Sequence, residues 1–221
     1  MIPTMSNTRF INLMTAAALV LGATPCVAAS RTPASETVPA ADAGELDDLS
    51  LEETLKLPEV PQKAKEGVRE YMLREAKALQ KLGYKVETMR RGEVVIATIP
   101  AEKLFAPNDT ALLPTAAKQL GNFLPYLRTP GKFKVILAMH SDDTGSEKYL
   151  MGLTEKRIIA LYDYFDAYAP EAEALMGYPM GASEALAPND SRANRSQNRR
   201  LEIYVVPDQG VISQFTRKSK K

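Results

Sequence analysis

The chain has 221 residues, 45% of them hydrophobic and 25% charged, with a formal net charge of +1. That length supports one well-cored domain with appendages, and a charge so near zero supplies no field to draw nucleic acid or a membrane surface. A single cysteine, Cys26, and a single histidine, His140, exclude a disulfide framework and the usual zinc ligand sets.

Taken in chain order, Arg9 is the only charge before Arg31, and the apolar run Phe10 to Leu21 follows it. Small residues come next, Cys26-Val27-Ala28 and then Ala29-Ser30. A basic start, a short apolar core and an A-x-A-like end predict a secretory signal peptide over 1–29. The run falls short of the roughly 20 apolar residues that a membrane-spanning helix needs. Pro25 directly before Cys26 argues against lipid attachment at that cysteine. Cleavage after Ala28 or Ala29 would leave no cysteine and equal numbers of acids and bases.

Residues 30–62 carry Glu36, Asp42, Glu45, Asp47, Asp48, Glu52, Glu53 and Glu59 against only Arg31 and Lys56. Such a segment buries too little apolar surface to offset its ordering entropy, which predicts an acidic flexible linker with at most a short helix near Leu51 to Leu55. Residues 63–83 predict an amphipathic helix, because Val68, Tyr71, Met72, Ala76, Leu79 and Leu82 fall on one stripe and Gly83 stops it. Strands follow over 84–89 and 94–99, joined by Arg90-Arg91-Gly92-Glu93 as a hairpin turn. A second helix spans 114–127, shortened or kinked by Pro125, and Phe133 to Met139 reads as an apolar strand. The third helix is predicted over 154–168, with Thr154 as its N-cap and Ile158, Leu161, Tyr162 and Phe165 inward. A short strand at 175–177, a polar loop over 179–197, a closing strand at 201–206 and a basic disordered tail over 207–221 complete the list. The fold class expected is α/β: a mixed sheet with helices packed on one face, a sandwich of β-α-β-α-β character. The link from the Phe133 strand to the last strand would be a right-handed crossover if those two are parallel.

His140, Ser141 and Asp142 contain the residue types of a hydrolytic triad, but neighbours in sequence cannot converge as a triad must. An enzyme is therefore not expected. A metal site is not expected either. His140, Asp142 and Asp143 find no second histidine, and a calcium loop starting at Asp142 would place Leu153 where a bidentate Glu is required. What remains is a carboxylate and a guanidinium, Asp142 in a turn and Arg157 on the next helix. In the first turn of that helix Arg157 would oppose the helix dipole, so it calls for an anion, either Asp142 or a ligand carboxylate. The two together suit the ammonium and carboxylate of an amino-acid head group; a purely structural salt bridge is the open alternative. In Asn198-Arg199-Arg200 strand alternation lets only one arginine point inward.

The ordered motifs of the chain resemble the OmpA-like family. Leu104-Phe105 through Leu112 is similar to its opening motif. His140-Ser141-Asp142-Asp143-Thr144-Gly145-Ser146 resembles its His-Thr-Asp-x-x-Gly-Ser turn. Tyr149 with Leu153-Thr154-x-x-Arg157 resembles its helix motif, and Asn198-Arg199-Arg200-Leu201-Glu202-Ile203 its ending. Met139, Leu150 and Ile158 stand where the family has glycine, asparagine and alanine. The resemblance covers 84–206 and implies a periplasmic domain, associated with the cell wall and outer membrane, that binds peptidoglycan non-covalently and uses no cofactor. Asp142 and Arg157 would then hold the two ends of the diaminopimelate side chain of the stem peptide. Phe105 and Leu153 would wall its methylenes, and Asn198 and Arg199 would support the rim. Outer-membrane proteins are further candidate partners. The rival expectation is an envelope protein that has lost the ligand and docks a partner through 45–82.

Overall fold

This computed structural model describes residues 58–172 and 174–218. The predicted signal peptide and nearly all of the acidic linker lie outside the described residues.

Helix α1 (Gln62–Lys81) buries Ala64, Val68, Met72, Ala76 and Leu79, an i, i+4 stripe that faces the sheet. Strands β1 (Lys85–Met89) and β2 (Val94–Pro100) form an antiparallel hairpin. Its turn takes Arg90 and Arg91 through left-handed φ values of 49° and 58°. The helical run after it is segmented: α2 (Ala116–Leu120), a 3-10 turn, then α3 (Leu124–Leu127). Pro125 stands in the first turn of α3, where its missing N–H costs nothing, so it starts a helix rather than ending one.

Strand β3 (Phe133–His140), helix α4 (Glu147–Tyr168) and strand β4 (Leu175–Gly181) make one crossover unit. Helix α5 (Arg192–Asn198), strand β5 (Arg200–Pro207) and helix α6 (Gln209–Lys218) complete the domain. The sheet order is β1-β2-β5-β3-β4, antiparallel except for the parallel β3–β4 pair. The expected mixed sheet is therefore present, with its parallel pair elsewhere than the Phe133 strand and the last strand. β5 enters the middle of the sheet antiparallel to both neighbours, and α4 leads to β4 instead.

Alternate residues of the strands feed two apolar layers, as period-two geometry requires. Val95, Ala97, Ile99, Val135, Leu137, Met139, Leu201, Ile203 and Val205 join the helical residues Met72, Leu79, Leu161 and Phe165 in the main core. Val94, Ile136, Ala138, Tyr204 and Val206 form a smaller cluster on the other face, made of strand residues only.

Two boundaries differ from expectation. The tail after Pro207 is helix α6, not a disordered segment: it buries Val211 and Ile212 and packs against α1. The polar stretch 179–197 extends β4 to Gly181 and supplies α5, whose N-cap Ser191 accepts from the Asn194 N–H. Both helices are short and polar on their outer faces, so their apolar periodicity was too brief to read.

Candidate functional site

Asp142 follows the end of β3, where the chain leaves the sheet in a turn. Its Oδ1 accepts from the Thr144 N–H at 2.9 Å, which is an Asx turn. The turn passes through Gly145 at φ 142° and into α4, whose N-cap Ser146 accepts from the Tyr149 N–H. The expected N-cap, Thr154, is instead two turns inside the helix. Its hydroxyl donates to the Leu150 and Met151 carbonyls and accepts from the Gly181 N–H, tying α4 to the end of β4. Arg157 is accordingly near the middle of α4, not in its first turn. The dipole argument for its charge therefore fails, and burial replaces it.

Arg157 is 4% exposed. Its guanidinium lies 4.8 Å from the Phe105 ring centroid, donates from Nε to the Asp109 carbonyl at 2.9 Å and from Nη2 to the Ala106 carbonyl at 3.4 Å. Among the described residues it forms no ion pair. Phe105 is itself buried beneath it. The loop between them, Ala106 to Asp109, turns through Asn108 at φ 58°, and the Asn108 side chain receives the Tyr149 hydroxyl at 3.5 Å. Burial pulls the Arg157 pKa below its ordinary value, with Tyr149 and Asp109 acting against that and Arg199 with it. A desolvated guanidinium whose hydrogen bonds go to carbonyls, and which Asp109 reaches without an ion pair, can still take an anion in direct contact.

The direct partner of Asp142 is Arg199, whose Nη1 donates to Oδ2. Asp142 is buried, while the Arg199 side chain remains 35% exposed. Burial alone would push the Asp142 carboxyl up, but the Thr144 N–H and the Arg199 guanidinium outweigh it and hold the pKa below the usual carboxylate range. Arg199 also acts electrostatically on Arg157, so the three charges share one corner of the molecule. Asp142, one of the two candidate anions for Arg157, pairs instead with Arg199, which the resemblance had put at the rim.

Leu153, 8% exposed, lies one turn ahead of Arg157 on α4. Asn198 is placed differently from expectation. It is fully buried, and its amide is spent on the Ala187 N–H, the Ala187 carbonyl and the Asn189 side chain. It staples the 187–189 segment rather than lining the corner, because α5 ends there and turns its last side chain inward. Tyr149 and Asn108 are neighbours of Arg157 that sequence reading missed. Asn108 sits in Pro107-Asn108-Asp109, a turn signal that could have marked it.

Behind the corner, on the opposite face of the sheet, Glu202 takes Arg200 Nε at 2.6 Å and the Tyr204 hydroxyl at 2.7 Å. His140 Nε2 stands 3.6 Å from the same carboxylate. Burial raises the Glu202 pKa, yet His140, Arg200 and Tyr204 together bring it down to about 2. This network ties the end of β3 to the start of β5, the two segments that carry Asp142 and Arg199. Among the described residues no group of three or more His, Cys, Asp or Glu is arranged to hold a metal ion, and no helix is long and apolar enough to cross a membrane.

No family model matches the chain. Among curated relatives, YiaD of Escherichia coli K12 is 27% identical over 143 residues, 64% of this chain and 65% of that protein. The outer-membrane lipoprotein YfiB of Pseudomonas aeruginosa is 32% identical over 102 residues, 46% of this chain and 61% of that protein. The chain thus spans less than two thirds of the length of either. Among solved structures, a MotB-like protein from Desulfovibrio vulgaris superposes with a TM-score of 0.56 at 22% identity, covering 64% of this chain and 95% of that one. The cell wall anchor of the T6SS from Pseudomonas aeruginosa gives 0.50 at 24% identity, over 68% and 100%. The fold is shared with these proteins. Its five-stranded mixed sheet and helical layer are the part held in common.

Proposed function

We propose that the protein is a periplasmic, non-enzymatic OmpA-like domain that binds peptidoglycan non-covalently and fixes the outer membrane, or a complex of the envelope, to the cell wall. The observation that carries this reading is Arg157, a residue 4% exposed that forms no ion pair among the described residues, with Arg199 acting both on it and on the buried Asp142 carboxylate. A ligand bearing both an ammonium and a carboxylate answers both groups. The diaminopimelate side chain of the stem peptide has that form. Its ammonium would meet Asp142, displacing Arg199 from one oxygen. Its carboxylate would then lie between Arg157 and the freed Arg199, with the methylenes against Phe105 and Leu153. The ordered sequence motifs support the assignment. So do an outer-membrane lipoprotein among the relatives and a cell wall anchor among the structures of like fold.

Asp142 is already satisfied by Arg199, and that favours a second reading in which the pair is structural and the domain docks another envelope protein. Co-sedimentation with isolated sacculi, with and without competing free diaminopimelate, separates the two. The wild-type protein should pellet and be released by the competitor. Asp142→Asn and Arg157→Lys keep size and approximate shape but remove one charge and one forked donor set. Each should weaken binding at least tenfold, since a charged hydrogen bond contributes about 1.5–3 kcal/mol. Undiminished pelleting by both folded variants would overturn the proposal.

A further inference from the structure

A cavity of about 360 Å³ opens at the same end of the sheet, on the far side of the rim that carries Phe105 and Arg199. It lies between the start of β1, the end of β2, the turn after β2, α2 and α5. Tyr84 and Ile99, both buried, supply an apolar floor, and the exposed Lys85, Lys103 and Gln197 stand at the mouth. Thr98, Gln119 and Ser196 add hydroxyl and amide groups to the wall. The volume is within the range of small-ligand sites, roughly 300–1,000 Å³.

Its charge is one-sided. Lys85, Lys103 and Arg200 line it, and no acidic residue does. Glu202 neutralises Arg200, and Glu87 pairs with Lys85 at 2.8 Å in the open. Lys103 forms no ion pair among the described residues. The cavity therefore offers one uncommitted ammonium above an apolar floor, ringed by amide and hydroxyl groups. That combination matches an amide chain ending in a carboxylate.

The backbone joins this hollow to the Asp142 corner. Consecutive side chains of an extended segment diverge: Arg199 turns to Asp142, and Arg200 lines the cavity. The Ala101 N–H donates to the Arg199 carbonyl at 3.0 Å, closing the rim between the two hollows. Lys103 stands two residues ahead of Phe105 on that rim.

We infer that this cavity is a second subsite, taking a carboxylate-ended peptide arm of the polymer whose diamino acid is held at Asp142 and Arg157. The inference rests on the peptidoglycan reading and extends it from one residue of the ligand to the arm beyond it. Lys103 meets the terminal carboxylate; Gln119, Gln197 and Ser196 meet the amides.

Three probes test it by calorimetry on the full mature chain: free diaminopimelate, a stem tetrapeptide with a free terminal carboxylate, and the same tetrapeptide amidated at its end. Lys103 is exposed, so Lys103→Gln should fold as the wild type does. It should weaken the free-acid tetrapeptide about tenfold while leaving diaminopimelate unchanged. Amidation should cost the wild type a similar factor and cost Lys103→Gln nothing, whereas Lys77→Gln on α1 should bind all three probes as the wild type does. Equal affinity of wild type and Lys103→Gln for the acid tetrapeptide would overturn the subsite. An equal loss for all probes would overturn it too, because that is a general charge effect. A wild-type protein that binds diaminopimelate but ignores amidation sinks the subsite alone; one that binds no probe sinks the peptidoglycan reading as well.

Discussion

Gly145 shows how much of the site depends on single residues. Its φ of 142° belongs to a region that side chains rarely enter, and a Cβ there would lie 2.9 Å from Tyr149 Cδ1. Gly145→Ala should cost about 1–3 kcal/mol, visible as a lower thermal midpoint, and should weaken sacculus binding by displacing the Asp142 turn. Glu202 gives a pH prediction. Its carboxyl is depressed from 4.5 to about 2, so the stability it contributes is fully present above the unfolded-state pKa and is lost as pH falls toward 2. A shift of that size corresponds to a contribution on the order of 3 kcal/mol. Urea unfolding of the wild type should weaken steeply between pH 4.5 and 2, and Glu202→Gln should flatten that limb while lowering stability at pH 7. An unchanged slope would show that the network is not coupled to folding. Asp142, Arg157, Phe105 and Leu153 could be named as candidates from sequence because acid, cation and apolar wall sit at motif positions, and the structure buries all four. The Asp142–Arg199 pairing was not, since Arg199 comes from the link between α5 and β5, far along the chain, and alternation alone could not say which of Arg199 and Arg200 faced the corner.

Among the elements, α4 carries the clearest lesson. Ser146 followed by Glu147 is a helix-start signal, and the helix begins there rather than at Thr154, the cap expected from sequence. The correction moves Arg157 from a helix terminus to a helix middle and changes the physics of its charge from dipole to burial. Helix α6 was invisible for a different reason. It follows Pro207 and is dominated by polar and basic residues, so only Val211, Ile212 and Phe215 betray a buried side. Its contact with α1 is close: a Cβ on Gly67 would fall 2.3 Å from Phe215 Cδ1. Gly67→Ala should carry an overpacking cost of about 1–3 kcal/mol, offset by about 0.5–1 kcal/mol of helix preference, for a net loss of stability. In the double variant with Phe215→Ala that penalty should largely vanish, and chemical unfolding of the four chains of the cycle measures it. Additive losses would mean that the two helices do not press on each other there.

The whole molecule was predictable in class and misjudged in extent. Alternating apolar strands and striped helices gave the mixed sheet, but 84–206 leaves out α1 and α6, which deliver Val68, Met72, Leu79, Val211 and Ile212 to the main core. Each such side chain contributes about 1.5–3 kcal/mol by burial, against a total stability of roughly 5–15 kcal/mol. A chain cut to 84–206 should show no cooperative thermal transition by circular dichroism, and one cut to 58–218 should show a single one. The position of the corner within the sheet has a mechanical meaning. Asp142 leaves the end of β3 and Arg199 leads into β5, and these strands are hydrogen-bonded neighbours at the centre of five. If the proposed ligand is held at this corner, a pull on it would act along both strands at once, so many ladder bonds would share the load instead of opening one after another. In an optical trap with a bead tethered through the captured peptide, detachment should come before any strand is drawn out. If the proposed wall contact is made at this corner, the domain would release its ligand under load with its sheet intact and be able to bind again.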